Sequence, residues 1–238
     1  HLFPVGEVNG THGVYRPGGS ALNSGQVGSA RAAEYIAHRY TGAPLEREEL
    51  LARCGAQAEA AIRLGREALS KKGEPLDLAQ ERRMLGRRMS VYGAHIRSAE
   101  GVRRALEELD AQEKRVLNAR VASERSLPSW YRLRDLMLSQ RMYLSAILDY
   151  IEHGGASRGS YLISDNTGKL PLEGLDERFR YVLDGEAHSG VIQEAVWKNG
   201  ACQCTWRPVR PIPEGDLWFE NVWRDWRENK IYGGESNE

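Results

Sequence analysis

From Glu46 to Glu152 the apolar residues return at spacings of three and four, and no other feature constrains the fold of this chain as strongly. A helix over Glu46–Lys72 sets Leu50, Cys54, Ala58, Ile62 and Leu69 near one stripe. A second is expected beyond Pro75, capped by Asp77 and carrying Leu78, Leu85, Met89 and Tyr92. Ser98 suits the cap of a third, in which Val102, Ala105, Leu106 and Leu109 recur at helical spacing. The fourth has the clearest pattern: Leu133, Leu136, Met137, Leu144, Ile147, Leu148 and Ile151 line one side before Gly154-Gly155 ends it. Helices of this kind bury their stripes against one another, so a bundle is expected. Met84, Met89, Met137 and Met142 then read as core filling.

The flanks have a different texture. Residues 1–22 are dense in glycine, with Leu2, Phe3 and Val5 predicting a short buried strand that ends near Gly6. A helix from about Leu22 to Tyr40 follows. Gly25 and Gly28 make it poor by propensity, so it needs a tertiary reason to form, such as a neighbouring sheet or a cofactor. Beyond residue 155, the run Val191–Trp206 predicts two strands joined through Asn199-Gly200, a favoured tight-turn pair. Pro208, Pro211 and Pro213 forbid a regular central strand after it. Leu217, Trp218, Phe219, Val222, Trp223 and Trp226 predict a short amphipathic helix starting near Asp216, its aromatic face docked on protein.

Composition excludes several function classes. The 238 residues include 33 Lys+Arg against 33 Asp+Glu, a net charge of zero that gives no general pull toward nucleic acid or an anionic membrane. No basic stripe accompanies the tryptophans, so nucleic acid is not an expected partner. Hydrophobic residues at 41% and charged residues at 28% describe a globular chain. No run of apolar residues is long enough to span a bilayer, and the opening HLFPVGEV lacks a signal-peptide pattern. A cytoplasmic or membrane-peripheral location is expected. The chain starts with His and passes at once into strand-like sequence, which reads as a piece of something larger. Cys54, Cys202 and Cys204 make no disulfide framework. The CxC pair would lie on one face of a strand, well short of a four-ligand metal set, so the cysteines read as structural and no metal is expected.

Candidate chemistry gathers in the glycine-rich stretch. Glu7 follows a predicted strand, where its carboxylate either accepts hydrogen bonds from sugar-like hydroxyls or serves as a loop cap or ion-pair partner. Arg16 offers a planar fork for a substrate carboxylate, and His12 can donate a hydrogen bond or exchange a proton near neutral pH. Both residues could instead stabilise the loop. Gly18-Gly19-Ser20-Ala21-Leu22 opens a helix whose leading N–H groups favour negative charge or a cofactor carbonyl oxygen. A dinucleotide fingerprint is absent, since no GxGxxG lies between a strand and a helix.

Three blocks in order carry a family resemblance. LFPVGEVNGTHGVYRPGGSALNSGQVGSARAAEYI resembles the late FAD-binding segment of the fumarate reductase/succinate dehydrogenase flavoprotein family, with its GE loop, HGxNRxGGNSL-like run and helix. RRMSVYGAHIRSAEGVRRALEEL resembles the opening of that family's C-terminal helical domain, and SRGSYL at Ser157–Leu162 resembles its SRGxHxR signature. The likeness spans most of residues 1–165, with Tyr15, Pro17, Ser20 and Ala21 departing from the usual residues.

The resemblance implies an α+β chain in three parts. Residues 1–45 would be the end of an FAD-binding α/β domain, 46–155 a helical bundle and 156–238 a mixed strand, loop and helix extension. It implies FAD as cofactor, with Gly6 and Glu7 at the ribityl or ribose region and Gly19, Ser20, Ala21 and Leu22 approaching the flavin ring. Arg16 would be the substrate-carboxylate arginine, His12 its neighbouring active-site histidine, and Arg158 a support for the domain or the active-site lining. The implied function is hydride transfer between flavin and a small carboxylate or related polar substrate. An N-terminal FAD- and substrate-binding portion would be a partner, in the same protein or as a separate chain, with an electron-transfer partner besides. The chain alone would be inactive. A second reading is a non-catalytic assembly module that retains flavoprotein architecture.

Overall fold

The computed structural model describes residues 2–10, 12, 16, 18–209, 218–228 and 230. It is a mixed helix and strand structure, with 58% helix forming the frame and two small two-stranded sheets added to it, so the α+β class holds. Contacts divide the chain into residues 1–47 with 210–238, and residues 48–209.

In the first unit, a 3-10 turn at Gly6–Asn9 precedes helix α1, Ser20–Arg39. The strand expected at Leu2–Val5 does not form. These residues are irregular and Leu2 is 91% exposed. A strand needs a hydrogen-bonded neighbour, and among the described residues none pairs with this segment. Phe3 instead packs its ring against Tyr35 and Tyr40, at centroid distances of 5.7 and 6.0 Å, which ties the loop back onto α1.

The second unit begins with α2, Arg47–Ser70, and α3, Leu78–Arg88, whose first turn is held by the Asp77 side chain accepting from the Gln80 amide at 2.9 Å. A π-helical turn, Met89–Gly93, leads to the short strand β1, Ile96–Arg97. Ser98 caps α4, Ala99–Asn118, by accepting from the Gly101 amide at 3.0 Å. Pro128 sits in the first turn of α5, Leu127–Glu152. This helix ends as its glycines predict, with Gly154 at φ +80° and the Gly155 amide bonded to the Tyr150 carbonyl at 2.9 Å.

The core lies between α3, α4 and α5, where Leu85, Leu109, Val116, Trp130, Leu133 and Met137 are buried. Val102, Ala105 and Leu144 form a second cluster. A polar network built on the buried Glu81, Arg88, Gln112 and Gln140 links these helices. Arg88 donates from Nη1 to Gln112 Oε1 at 2.8 Å and to Gln140 Oε1 at 2.7 Å, while Arg115 grips Glu81 through Nε and Nη2 at 2.9 and 2.8 Å.

Several expected core positions prove exposed. Leu50 and Ile62 are 49% and 52% exposed, and the residues α2 buries are Gly65 and Ala68. Among the described residues the last turns of α2 meet α5, with Gly65 small enough to admit Leu127 and Tyr131. Leu136 faces outward, as does Met84, whose sulfur accepts from Arg115 rather than filling the core.

Beyond α5, β2, Leu162–Lys169, pairs in parallel with β1 through Ile96↔Leu162 and Arg97↔Ile163. The hairpin of β3, Val191–Lys198, and β4, Ala201–Pro208, has the predicted turn, with Asn199 and Gly200 at φ +54° and +77°. Cys202 and Cys204 share one half-buried face with their sulfurs 4.0 Å apart, and burial pushes the Cys204 thiol up. The last helix, α6, Trp218–Arg227, belongs with the first unit and starts within two residues of the expected point. Of the proline and apolar positions named before it, Pro211, Pro213 and Leu217 lie outside the described residues.

Candidate functional site

The loop that precedes α1 and the first turns of that helix form an open cleft of about 520 Å³. Gly6, Glu7 and His12 line it from the loop, and Ala21, Leu22 and Gly25 from the helix. Glycine chemistry makes this approach possible. Gly6 adopts φ +75°, and a Cβ on Gly25 would stand 3.7 Å from the Gly6 Cα, so the loop backbone lies directly on the helix.

Gly19 is the N-cap of α1 at φ +82° and, having no side chain, supplies no cap of its own. The first intrahelical bond runs from the Asn23 amide to the Gly19 carbonyl at 3.0 Å. The amides of Ala21 and Leu22 therefore stand ahead of the helical ladder at the positive end of the macrodipole. No acidic residue occupies the first turn to neutralise that end. Such a terminus favours an anion or an electronegative carbonyl edge.

Both ring nitrogens of His12 are buried without a hydrogen-bond partner among the described residues. Leaving a buried polar atom unmatched costs about 1–3 kcal/mol, which a ligand offering complementary groups would remove. Arg16 reaches Glu7, with Nη2 3.4 Å from Oε1, and the Glu7 carboxylate is largely exposed. An ion pair in that setting contributes little to stability and exchanges readily for another carboxylate.

Of the residues the sequence singled out, Gly6, Glu7, His12, Ala21 and Leu22 thus share one wall-lined cleft. Arg16, Gly19 and Ser20 do not line it. Arg16 joins through its pair with Glu7, Gly19 sets the helix cap and Ser20 is the first helical residue. Arg158 lies in the other unit, where its Nε is 3.4 Å from Asp184 Oδ2. Val5, Gly25, Gln26 and Ser29 were not singled out as site residues, though all four line the cleft. Helical spacing carried the signal: Gly25, Gln26 and Ser29 lie four residues beyond Ala21, Leu22 and Gly25 respectively. The sequence matches no protein-family model and no curated protein.

Proposed function

We propose that this chain forms part of an FAD-dependent oxidoreductase that transfers a hydride between flavin and a small carboxylate or related polar substrate. The observation that carries this reading is the cleft itself, which gathers Gly6, Glu7, His12, Ala21 and Leu22 at a glycine-started helix, around an imidazole with no hydrogen-bond partner among the described residues. The residues present fit the cofactor: a carboxylate for ribityl or ribose hydroxyls, leading amides for an electronegative ring edge, and glycines for close approach. When bound, FAD supplies the hydride acceptor or donor.

The chain's own residues then divide the work. Glu7 accepts hydrogen bonds from cofactor hydroxyls beside Gly6. Gly19 turns the backbone so that the amides of Ser20, Ala21 and Leu22 favour charge gathered at the ring. Arg16 leaves its exposed pair with Glu7 to hold a substrate carboxylate by its two-point fork. His12 orients that carboxylate or holds the accompanying proton at Nδ1 or Nε2.

Helix α1 buries none of its residues, and Leu22, Val27, Tyr35 and Ile36 are exposed large apolar side chains. That surface supports a site completed by further polypeptide, in the same native protein or as a separate chain. Residues 1–238 alone would accordingly bind FAD weakly and turn over no substrate, and electrons would pass on to a separate partner. Among the described residues no helix is long and apolar enough to cross a membrane, which is compatible with a cytoplasmic or membrane-peripheral protein.

A second reading, a non-catalytic assembly module, draws on α6. Trp223 is half exposed and stacks on Trp226 at 5.1 Å, presenting a flat aromatic surface of the kind that anchors partners. One preparation separates the two readings. The native source protein should carry one FAD per assembly, visible in its absorption spectrum. Arg16→Lys should keep that flavin while turnover falls about 10–100-fold, because lysine retains charge but loses the fork. Absence of flavin from the native protein overturns the oxidoreductase reading. Loss of flavin in step with activity assigns Arg16 to loop structure instead.

A further inference from the structure

Residues 48–209 form a separate, open cavity of about 310 Å³ that shares no residue with the cleft before α1. Arg97, Tyr150, Arg158, Tyr161, His188 and Trp206 line it. The π-helical turn Met89–Gly93 delivers the chain to β1, and the parallel pairing of β1 with β2 brings Arg97 beside the Tyr161 segment. Turns of this kind are rare and recur at functional sites.

The two cations are not equivalent. Arg158 lies 3.4 Å from the half-buried Asp184 carboxylate, so its charge is matched. Arg97 has its guanidinium 4.2 Å above the Tyr161 ring and donates from Nε to the Ala94 carbonyl at 2.8 Å. Among the described residues it makes no ion pair. Burial disfavours its charged form and lowers its pKa from the usual arginine value, a cost that an anion in the cavity would offset.

The aromatic walls are fixed. Tyr150 stands edge-on to Tyr161 at 6.1 Å and stacks on Trp206 at 6.4 Å, and His188 lies 5.0 Å from Trp206. The Trp206 indole donates to Asp149 Oδ2 at 2.9 Å, and the Tyr150 hydroxyl donates to the Ala156 carbonyl at 3.1 Å. Burial pushes the Tyr150 phenol up, so it remains a donor. His188 contacts the His153 carbonyl through Nε2 at 3.0 Å, which leaves the proton there. In the neutral ring its Nδ1 is then a lone-pair acceptor, and that atom is buried and without a partner among the described residues. An arginine with no ion pair among the described residues, flat aromatic walls and a histidine with an unpartnered ring nitrogen thus line one concavity.

We infer that this cavity is a binding site for a small aromatic carboxylate, held at Arg97 by its carboxylate and at His188 Nδ1 by a polar hydrogen of its ring substituent. Two-point pairing with the Arg97 fork sets the charge requirement, and the tyrosine and tryptophan faces set the requirement for a flat body. The inference is independent of the flavin reading, since none of these residues lies in that cleft.

The test titrates the full chain calorimetrically with para-hydroxybenzoate, its neutral amide, and inorganic phosphate. One saturable site is expected for the acid, with the amide at least tenfold weaker and phosphate unable to displace it. Arg97→Gln should weaken the acid at least tenfold without changing the already weak amide. Absence of saturable binding, equal affinity for acid and amide, or displacement by phosphate overturns the proposal. The amide and phosphate arms use the unmutated chain and so decide the matter even if Arg97→Gln fails to fold. Should that variant fold and bind the acid normally, the proposal also fails.

Discussion

Gln140→Met is the sharpest test of how the bundle is held together. Gln140 is buried on α5, where its Oε1 accepts from Arg88 Nη1 at 2.7 Å and its Nε2 donates to the Leu85 carbonyl at 2.8 Å. Methionine matches its length and suits a helix, so the change removes two hydrogen bonds with little change of shape. The bond from a charged donor is worth about 1.5–3 kcal/mol. The Leu85 carbonyl also accepts from the Met89 amide, so losing Nε2 there costs only about 0.5–1.5 kcal/mol. Arg88 keeps Gln112 at 2.8 Å and the Glu108 carbonyl at 3.4 Å, so its charge is not stranded. Easier burial of a thioether than of an amide returns about 1 kcal/mol, leaving a net loss of about 1–3.5 kcal/mol. For a unit of this size that lowers Tm by roughly 2–14 °C. Urea and thermal melts of the full chain measure it, with Arg103→Gln as the control. That change breaks only the exposed Arg103–Glu152 pair and should cost under about 1 kcal/mol. A Gln140→Met melt indistinguishable from the control would refute the argument that this network contributes net stability.

Gly168→Ala should destabilise the β2 region strongly, because a Cβ there would stand 2.3 Å from the Tyr181 carbonyl oxygen, while Gly159→Ala meets nothing within 4 Å and should be close to neutral. Hydrogen exchange at the Asp165 amide, which bonds the Arg180 carbonyl at 2.9 Å, reads the difference, and equal protection in both variants would contradict the clash. Acid should weaken the bundle through Glu81: burial pushes its carboxyl up, but hydrogen bonds from Arg115 and Gln112 outweigh that and hold it below the usual range. A depressed folded-state value means the stabilisation is full above the unfolded value of about 4.3 and is lost as pH falls through the lower folded value. Tm measured against pH should therefore fall more steeply below about pH 4.3 in the wild type than in Glu81→Gln, and identical acid profiles would remove Glu81 from the account.

What could be read from the sequence follows from which interactions are local. Asp77 and Ser98 cap their helices because a cap needs only an amide three residues on, and Asn199-Gly200 makes its turn because two consecutive positive φ values suit those residues. Periodicity is local too, yet it says which residues share a face and nothing about whether that face is covered. Leu50 and Ile62 lie on one side of α2 as spaced, but among the described residues α5 meets the last turns of α2, and both stay half exposed. The strand expected at Leu2–Val5 failed for the same reason, since apolar β-formers predict a strand only where a second strand supplies hydrogen bonds.

The same distinction separates the two cavities. Gly6, Glu7, His12, Ala21 and Leu22 lie within one short stretch, and a glycine-built turn before a helix can bring them together without help from the rest of the chain. Arg97, Tyr150, His188 and Trp206 come from four elements or loops, assembled by the β1–β2 pairing and by the hairpin that docks on α5 through Gln193 and Trp206 to Asp149. Nothing in the sequence around Arg97 distinguishes it from the many other arginines. What sets it apart is a guanidinium drawn partly out of water, over the Tyr161 ring and with no ion pair among the described residues, and that combination is a property of the folded surroundings alone.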